Sequence, residues 1–169
     1  EDRRLIRNEV FRSVEWTMLD RGVIDEEIAE QRILPRLPER LHDAARGLIE
    51  KWDDPIVPVE GMLELLQALK AKGYRLYLLS NASTRFAERA PEDYPILKEF
   101  DGIVFSAPLK MAKPGHDIYY HLFNKYDLLP SECFFIDDTV ENVIASKELG
   151  MESILFTGDI EAVKRAIEF

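Results

Sequence analysis

Apolar positions follow two different rhythms along the chain. In residues 1 to about 50 the period is helical. Leu5, Ile6, Val10, Phe11, Val14 and Met18 recur at spacings of one, three and four, which predicts one amphipathic helix. Asp20-Arg21-Gly22 predicts its end, with Gly22 taking the left-handed cap. Asp25-Glu26-Glu27 places acids in the first turn of a second helix, which Pro35 and Pro38 break. A third helix is expected from about Glu39 to Lys51, and this half carries no strand signal. From Val59 the pattern changes. Met62, Leu63, Leu65, Leu66 and Leu69 predict a helix that stops at Gly73. The runs YRLYLLSN (74–81), IVFS (103–106), CFFID (133–137) and ESILFT (152–157) predict strands, with Cys133 to Ile136 expected to be fully buried. Helices are expected near 92–99, 115–126, 140–149 and 160–168. Helix, glycine, apolar strand, repeated, predicts an α/β fold: a doubly wound parallel sheet with crossover helices on its faces. The chain divides into an all-helical region, 1–57, and an α/β region, 58–169.

Composition narrows the functional classes. The formal net charge of −10 repels nucleic acid and anionic membranes, so neither is an expected partner. A small anionic substrate remains compatible if the site supplies local positive charge. The one cysteine, Cys133, allows no disulfide within the chain and fits a reducing, cytoplasmic location. No apolar run approaches the ~18 residues of a membrane span.

In an open parallel sheet, ligands bind beyond the carboxyl ends of the strands. The first strand ends in Ser80-Asn81, followed by Ala82-Ser83-Thr84. The second ends in Ser106, before the loop LKMAKPG (109–115). The third ends in Asp137-Asp138, with Asn142 one helical turn later. Adjacent carboxylates at a strand end repel each other, and Mg²⁺ removes that repulsion while taking hard oxygen ligands. Ser80 can donate to a phosphate oxygen, and the backbone amides of Asn81 and Ala82 can point at the same anion. Lys113 is a point charge for the phosphate or for an attacking carboxylate. Each residue has a structural alternative: Ser80 as a helix cap, Lys113 as a solvated loop lysine, Asp137-Asp138 as a cap for the helix at 140. Their joint placement favours a site. Arg85 reads as a surface residue, Trp16 as helix packing, and His42, His116 and His121 lack zinc spacing.

The order of these residues resembles the haloacid dehalogenase (HAD) superfamily of hydrolases. LLSNAS (78–83) resembles its second motif, with Ser80 as the phosphate-binding hydroxyl. KPGHDIY (113–119) resembles the third motif, with Lys113 as its lysine. FFIDDTVEN (134–142) resembles the fourth in its paired-acid form, with Asp138 and Asp137 serving Mg²⁺ and Asn142 supporting them. The resemblance implies a Rossmann-like core and an N-terminal helical cap, residues 1–57. APEDYPILKEFDGIVFS (90–106) is similar to bacterial members that act on sugar phosphates and other small phosphorylated metabolites.

The family's first motif, Asp-x-Asp after the central strand, has no counterpart here, since Asp53-Asp54 follows a predicted helix. The chain opens Glu1-Asp2-Arg3-Arg4 without Met, and the expectation is that the motif and its central strand lie upstream of Glu1. The resemblance therefore implies Mg²⁺-dependent hydrolysis of a phosphate monoester through an aspartyl-phosphate on that upstream residue. The cap would exclude water and read the leaving group, with the turn from Leu19 to Val23 as a candidate reader and Trp16 as another where it does not serve packing. A metal-independent dehalogenase and a noncatalytic binding or regulatory domain are the alternatives. A response-regulator receiver ranks low, because its acidic pair follows the first strand.

Overall fold

The computed structural model describes residues 1–52 and 56–167. Asp53 and Asp54 lie outside the described residues. The chain forms two compact units. One comprises Glu1–Val57, Asn81–Asp93 and Phe105–Lys110, and the other Pro58–Ser80, Tyr94–Val104 and Met111–Phe169.

The first unit is helical. The single helix expected near the start is three pieces: α1 (Asp2–Ile6), a π-helical turn (Arg7–Phe11) and α2 (Val14–Asp20). The break has a local cause. Ser13 leaves helical geometry, donates to the Val10 carbonyl at 2.7 Å and accepts from Trp16 N–H at 3.1 Å, which makes it the N-cap of α2. Next come α3 (Glu26–Ile33), capped by Asp25, and α4 (His42–Lys51), preceded by a 3₁₀ turn over Glu39–Leu41. The core holds Val10, Leu19, Ala29, Ile33, Ala45 and Ile49. Trp16 packs edge-on against Phe11 at 4.8 Å between ring centroids, as expected of a packing residue. Arg36 spans the unit, bonding Glu15 at 2.8 and 3.2 Å and Glu9 at 3.0 Å. Residues 84–93, outside the predicted helices until their last two positions, form α6 (Thr84–Asp93), with Ser83 Oγ accepting from Phe86 N–H. A short α7 (Ser106–Leu109) completes the unit.

The second unit is α/β. It carries α5 (Met62–Ala71), β1 (Tyr77–Ser80), β2 (Gly102–Phe105), α8 (His116–Tyr126), β3 (Phe134–Asp137), α9 (Val140–Glu148), β4 (Glu152–Leu155) and α10 (Ile160–Ala166). Gly73, the predicted stop of α5, is at φ +90°, and Gly150 closes α9 at φ +92°. Leu65, Leu66, Leu69, Leu76 and Val163 form one of its hydrophobic clusters. β3 and β4 pair in parallel from Phe134–Glu152 to Asp137–Leu155. The described strands make two two-stranded sheets, β1–β2 and β3–β4, and not one ladder. With one described partner strand, β3 is only half-buried from Phe134 to Ile136, a correction to the full burial expected of that run.

Candidate active site

Lys113, Asp137 and Asn142 come together at the carboxyl ends of β1 and β3. The Lys113 ammonium donates to Asp137 Oδ2 at 2.6 Å and to the Leu79 carbonyl of β1 at 2.7 Å. Both side chains are nearly closed to solvent, at 8% and 5% exposure. Lys113 also lies 5.6 Å from the Phe135 ring centroid, and its bond to Pro114 is cis. One side chain thus links the two sheets at the point where no strand pairing joins them.

Asp137 Oδ1 accepts from Thr139 N–H and from Asn142 Nδ2, each at 2.9 Å. A carboxylate offers about four acceptor positions. Two N–H donors on Oδ1 and one on Oδ2 leave Asp137 about one further position. Tyr119 Oη donates to the backbone carbonyl of Asn142 at 3.0 Å, which anchors the first turn of α9. Burial, and secondarily the Asp137 charge, pushes the Tyr119 phenol well above its ordinary range, so it stays a neutral donor. Asp138, by contrast, is exposed at the end of the strand.

Ser80 is the last residue of β1 and is half-buried. Asn81 and Ala82 follow it in the chain. The Ala82 N–H, expected to face an anion, instead donates to Ser106 Oγ at 2.8 Å and is occupied within the molecule. Ser106, read from the sequence as a strand-end hydroxyl, is fully buried. Arg85 pairs with Glu26 at 3.5 Å, and His116 with Glu148 at 3.1 Å. The sequence reading missed Tyr119 and the Leu79 carbonyl. The first could have been found from its place on the core face of the helix after Lys113; the second carries no side-chain signal.

Mg²⁺ takes one or two protein carboxylates and keeps several waters. Asp138 and the remaining position on Asp137 fit that demand. Among the described residues no group of three or more His, Cys, Asp or Glu side chains is placed to hold a metal ion. Any site here therefore draws further ligands from water, substrate or other residues. No described helix is long and apolar enough to cross a membrane.

The family model for haloacid dehalogenase-like hydrolases matches residues 13–150. A sesquiterpene phosphatase of Aspergillus oryzae is 26% identical over 89% of this chain and 76% of its own length. A phosphorylated carbohydrates phosphatase of Thermotoga maritima is 29% identical over 72% of this chain, which spans 55% of that protein. Hexitol phosphatase B of Escherichia coli is 27% identical over 69% of the chain, which spans 51% of it. Among solved structures, a HAD family enzyme of Bacteroides thetaiotaomicron in complex with magnesium and inorganic phosphate superposes with a TM-score of 0.67 at 23% identity, over 95% of this chain and 89% of that one. A predicted HAD-like hydrolase of Porphyromonas gingivalis gives 0.68 at 25%, over 92% and 79%. The chain belongs to the haloacid dehalogenase-like hydrolases and has their α/β fold.

Proposed function

We propose that the intact protein is a Mg²⁺-dependent phosphate-monoester hydrolase acting on a small phosphorylated metabolite, a sugar phosphate or a similar alcohol phosphate. The observation that carries this reading is the buried Lys113–Asp137 pair at the ends of β1 and β3, with Ser80 closing the first strand and exposed Asp138 just after the second. Relatives named as a phosphorylated carbohydrates phosphatase, a hexitol phosphatase and a sesquiterpene phosphatase support the substrate class.

Each residue has a role in that reading. Ser80 Oγ–H donates to a phosphoryl oxygen. Lys113, oriented by the Leu79 carbonyl and Asp137, holds positive charge toward the phosphoryl group and the attacking carboxylate. Asp138, with the remaining position on Asp137, would hold Mg²⁺, which supplies Lewis-acid stabilisation of phosphoryl charge. Asn142 keeps Asp137 from rotating away. The nucleophile is the aspartate of the family's first motif, upstream of the motifs described here. It attacks phosphorus and forms an acyl-phosphate that water then cleaves. Residues 1–57 serve as the helical cap and 58–169 as the core domain.

The test is phosphate release by the intact protein from a panel of phosphorylated metabolites, with Mg²⁺ and with EDTA. The expected result is turnover of alcohol phosphates that EDTA abolishes. Turnover of haloacids that survives EDTA would favour the dehalogenase reading, and binding without turnover the regulatory one.

A further inference from the structure

β2 has β1 on one side and, among the described residues, no strand on the other. An outer edge of this kind presents backbone N–H and C=O groups with which a strand of another molecule can pair. Tyr126, the last residue of α8, occupies it. The Tyr126 hydroxyl accepts from the Ile103 N–H at 3.0 Å and lies 3.3 Å from the Ile103 carbonyl oxygen, to which its own proton can donate. The N–H and C=O of one strand residue point to the same side of the strand, so both of these groups face away from β1. One phenol therefore gives Ile103 the acceptor and the donor that a neighbouring strand would supply. β2 is four residues long, and Ile103 is interior to it, so the block falls in the middle of the edge.

The ring is held in place as firmly as the hydroxyl. A Cβ on Gly102 would lie 2.3 Å from Tyr126 Cζ and 2.7 Å from Tyr126 Oη. The ring thus lies directly on the strand backbone, and only glycine leaves it room. Tyr77 of β1 packs against Tyr126 at 4.8 Å between ring centroids, tilted by 39°. The Lys125 ammonium lies 5.0 Å from the Tyr126 centroid and 3.5 Å from the Ile103 carbonyl oxygen. A lysine at a strand edge adds a second barrier, because an incoming strand would have to strip water from its charge. Tyr77, Gly102, Ile103, Lys125 and Tyr126 all belong to the α/β unit.

We propose that Tyr126 guards the β2 edge. Its hydroxyl saturates Ile103, its ring covers Gly102, and with Lys125 it keeps β2 from pairing with β2 of a second copy of this chain. Two freed edges of one sequence pair antiparallel about a two-fold axis, which makes the second copy the partner that the guard excludes. The guard is a property of the fold and stands whether or not the protein is a phosphatase.

Three variants of the intact protein test it. Tyr126→Phe removes the hydroxyl and keeps the ring. Tyr126→Ala with Lys125→Ala opens the edge. Adding Ile103→Pro to that pair removes the N–H on which pairing depends, at an edge position where proline is tolerated. In Tyr126→Phe, amide hydrogen exchange at Ile103 rises about tenfold or more. Exchange at Phe156, whose N–H donates to the Asp137 carbonyl, stays as in the unmodified protein and reports that the fold has not loosened generally. By sedimentation equilibrium, the mean mass of the opened variant climbs with concentration toward about twice that of the unmodified protein. Ile103→Pro returns the mass to that of the unmodified protein, whereas association through partly unfolded chains would persist. Unchanged exchange at Ile103, a rise of equal size at Phe156, an unchanged mass in the opened variant, or association that survives Ile103→Pro would each overturn the proposal.

Discussion

Lys113 shows how little of a residue's role is contained in its charge. Its ammonium is buried, and it is tolerated because Asp137 and the Leu79 carbonyl both accept from it. A buried pair gains little over apolar residues of equal size, but a buried charge left alone is strongly destabilising. Lys113→Met should therefore lower stability by about 3–5 kcal/mol, read from the denaturant midpoint. Adding Asp137→Asn should restore most of that loss, since the amide needs no counter-charge, while activity stays absent. If the double variant is no more stable than Lys113→Met, the pair does not carry the energetics described. Lys113, Asp137 and Asn142 were recognisable in the sequence because each sits at a fixed offset from a strand end. Their division of labour was not recognisable. Adjacent acids look equivalent in a sequence, yet Asp137 turns inward to three N–H donors and Asp138 stays in solvent.

Elements were legible where one signal dominated and misread where two competed. α5 and α9 lie where apolar spacing placed them, each closed by a glycine, and α8 and α10 begin within one residue of their expected starts. The run from Leu5 to Met18 has a continuous helical period, but the Ser13 hydroxyl competes for backbone groups and breaks it. α6 carries a proline, a poor helix signal in a sequence, yet Pro91 lies in its last turn and Ser83 caps its first. The helical unit offers a test of its own. Glu15 is buried on α2, and its hydrogen bonds from Arg36 outweigh the effect of burial and hold its carboxyl below the ordinary glutamate range. A depressed folded pKa contributes stability that is present above the unfolded value and is lost as pH falls through the folded one. Stability should thus decline as pH drops below the ordinary glutamate range, and Glu15→Gln should flatten that decline. Urea midpoints across the acid range check this; an equal slope in both proteins would remove Glu15 from the account.

At the scale of the whole molecule, the sequence carried the fold class and the order of motifs, because helix–glycine–strand grammar and strand-end chemistry are local. It did not carry the separation of the strands into two pairs, nor the second link that Lys113 makes to β1, because both depend on contacts between distant segments. In the proposed function, a serine, a lysine and an acid from separate strand ends and loops act on a single phosphoryl group. The surrounding charge of −10 makes that local arrangement necessary, since nothing in the long-range field draws an anion in. The most direct test is Mg²⁺-dependent phosphate release from an alcohol phosphate by the intact protein and by its Asp138→Asn variant, with folding checked by circular dichroism. The expected result is a folded variant whose turnover falls by at least about a hundredfold, with a higher Mg²⁺ requirement. Turnover and Mg²⁺ dependence matching the unmodified protein would contradict it.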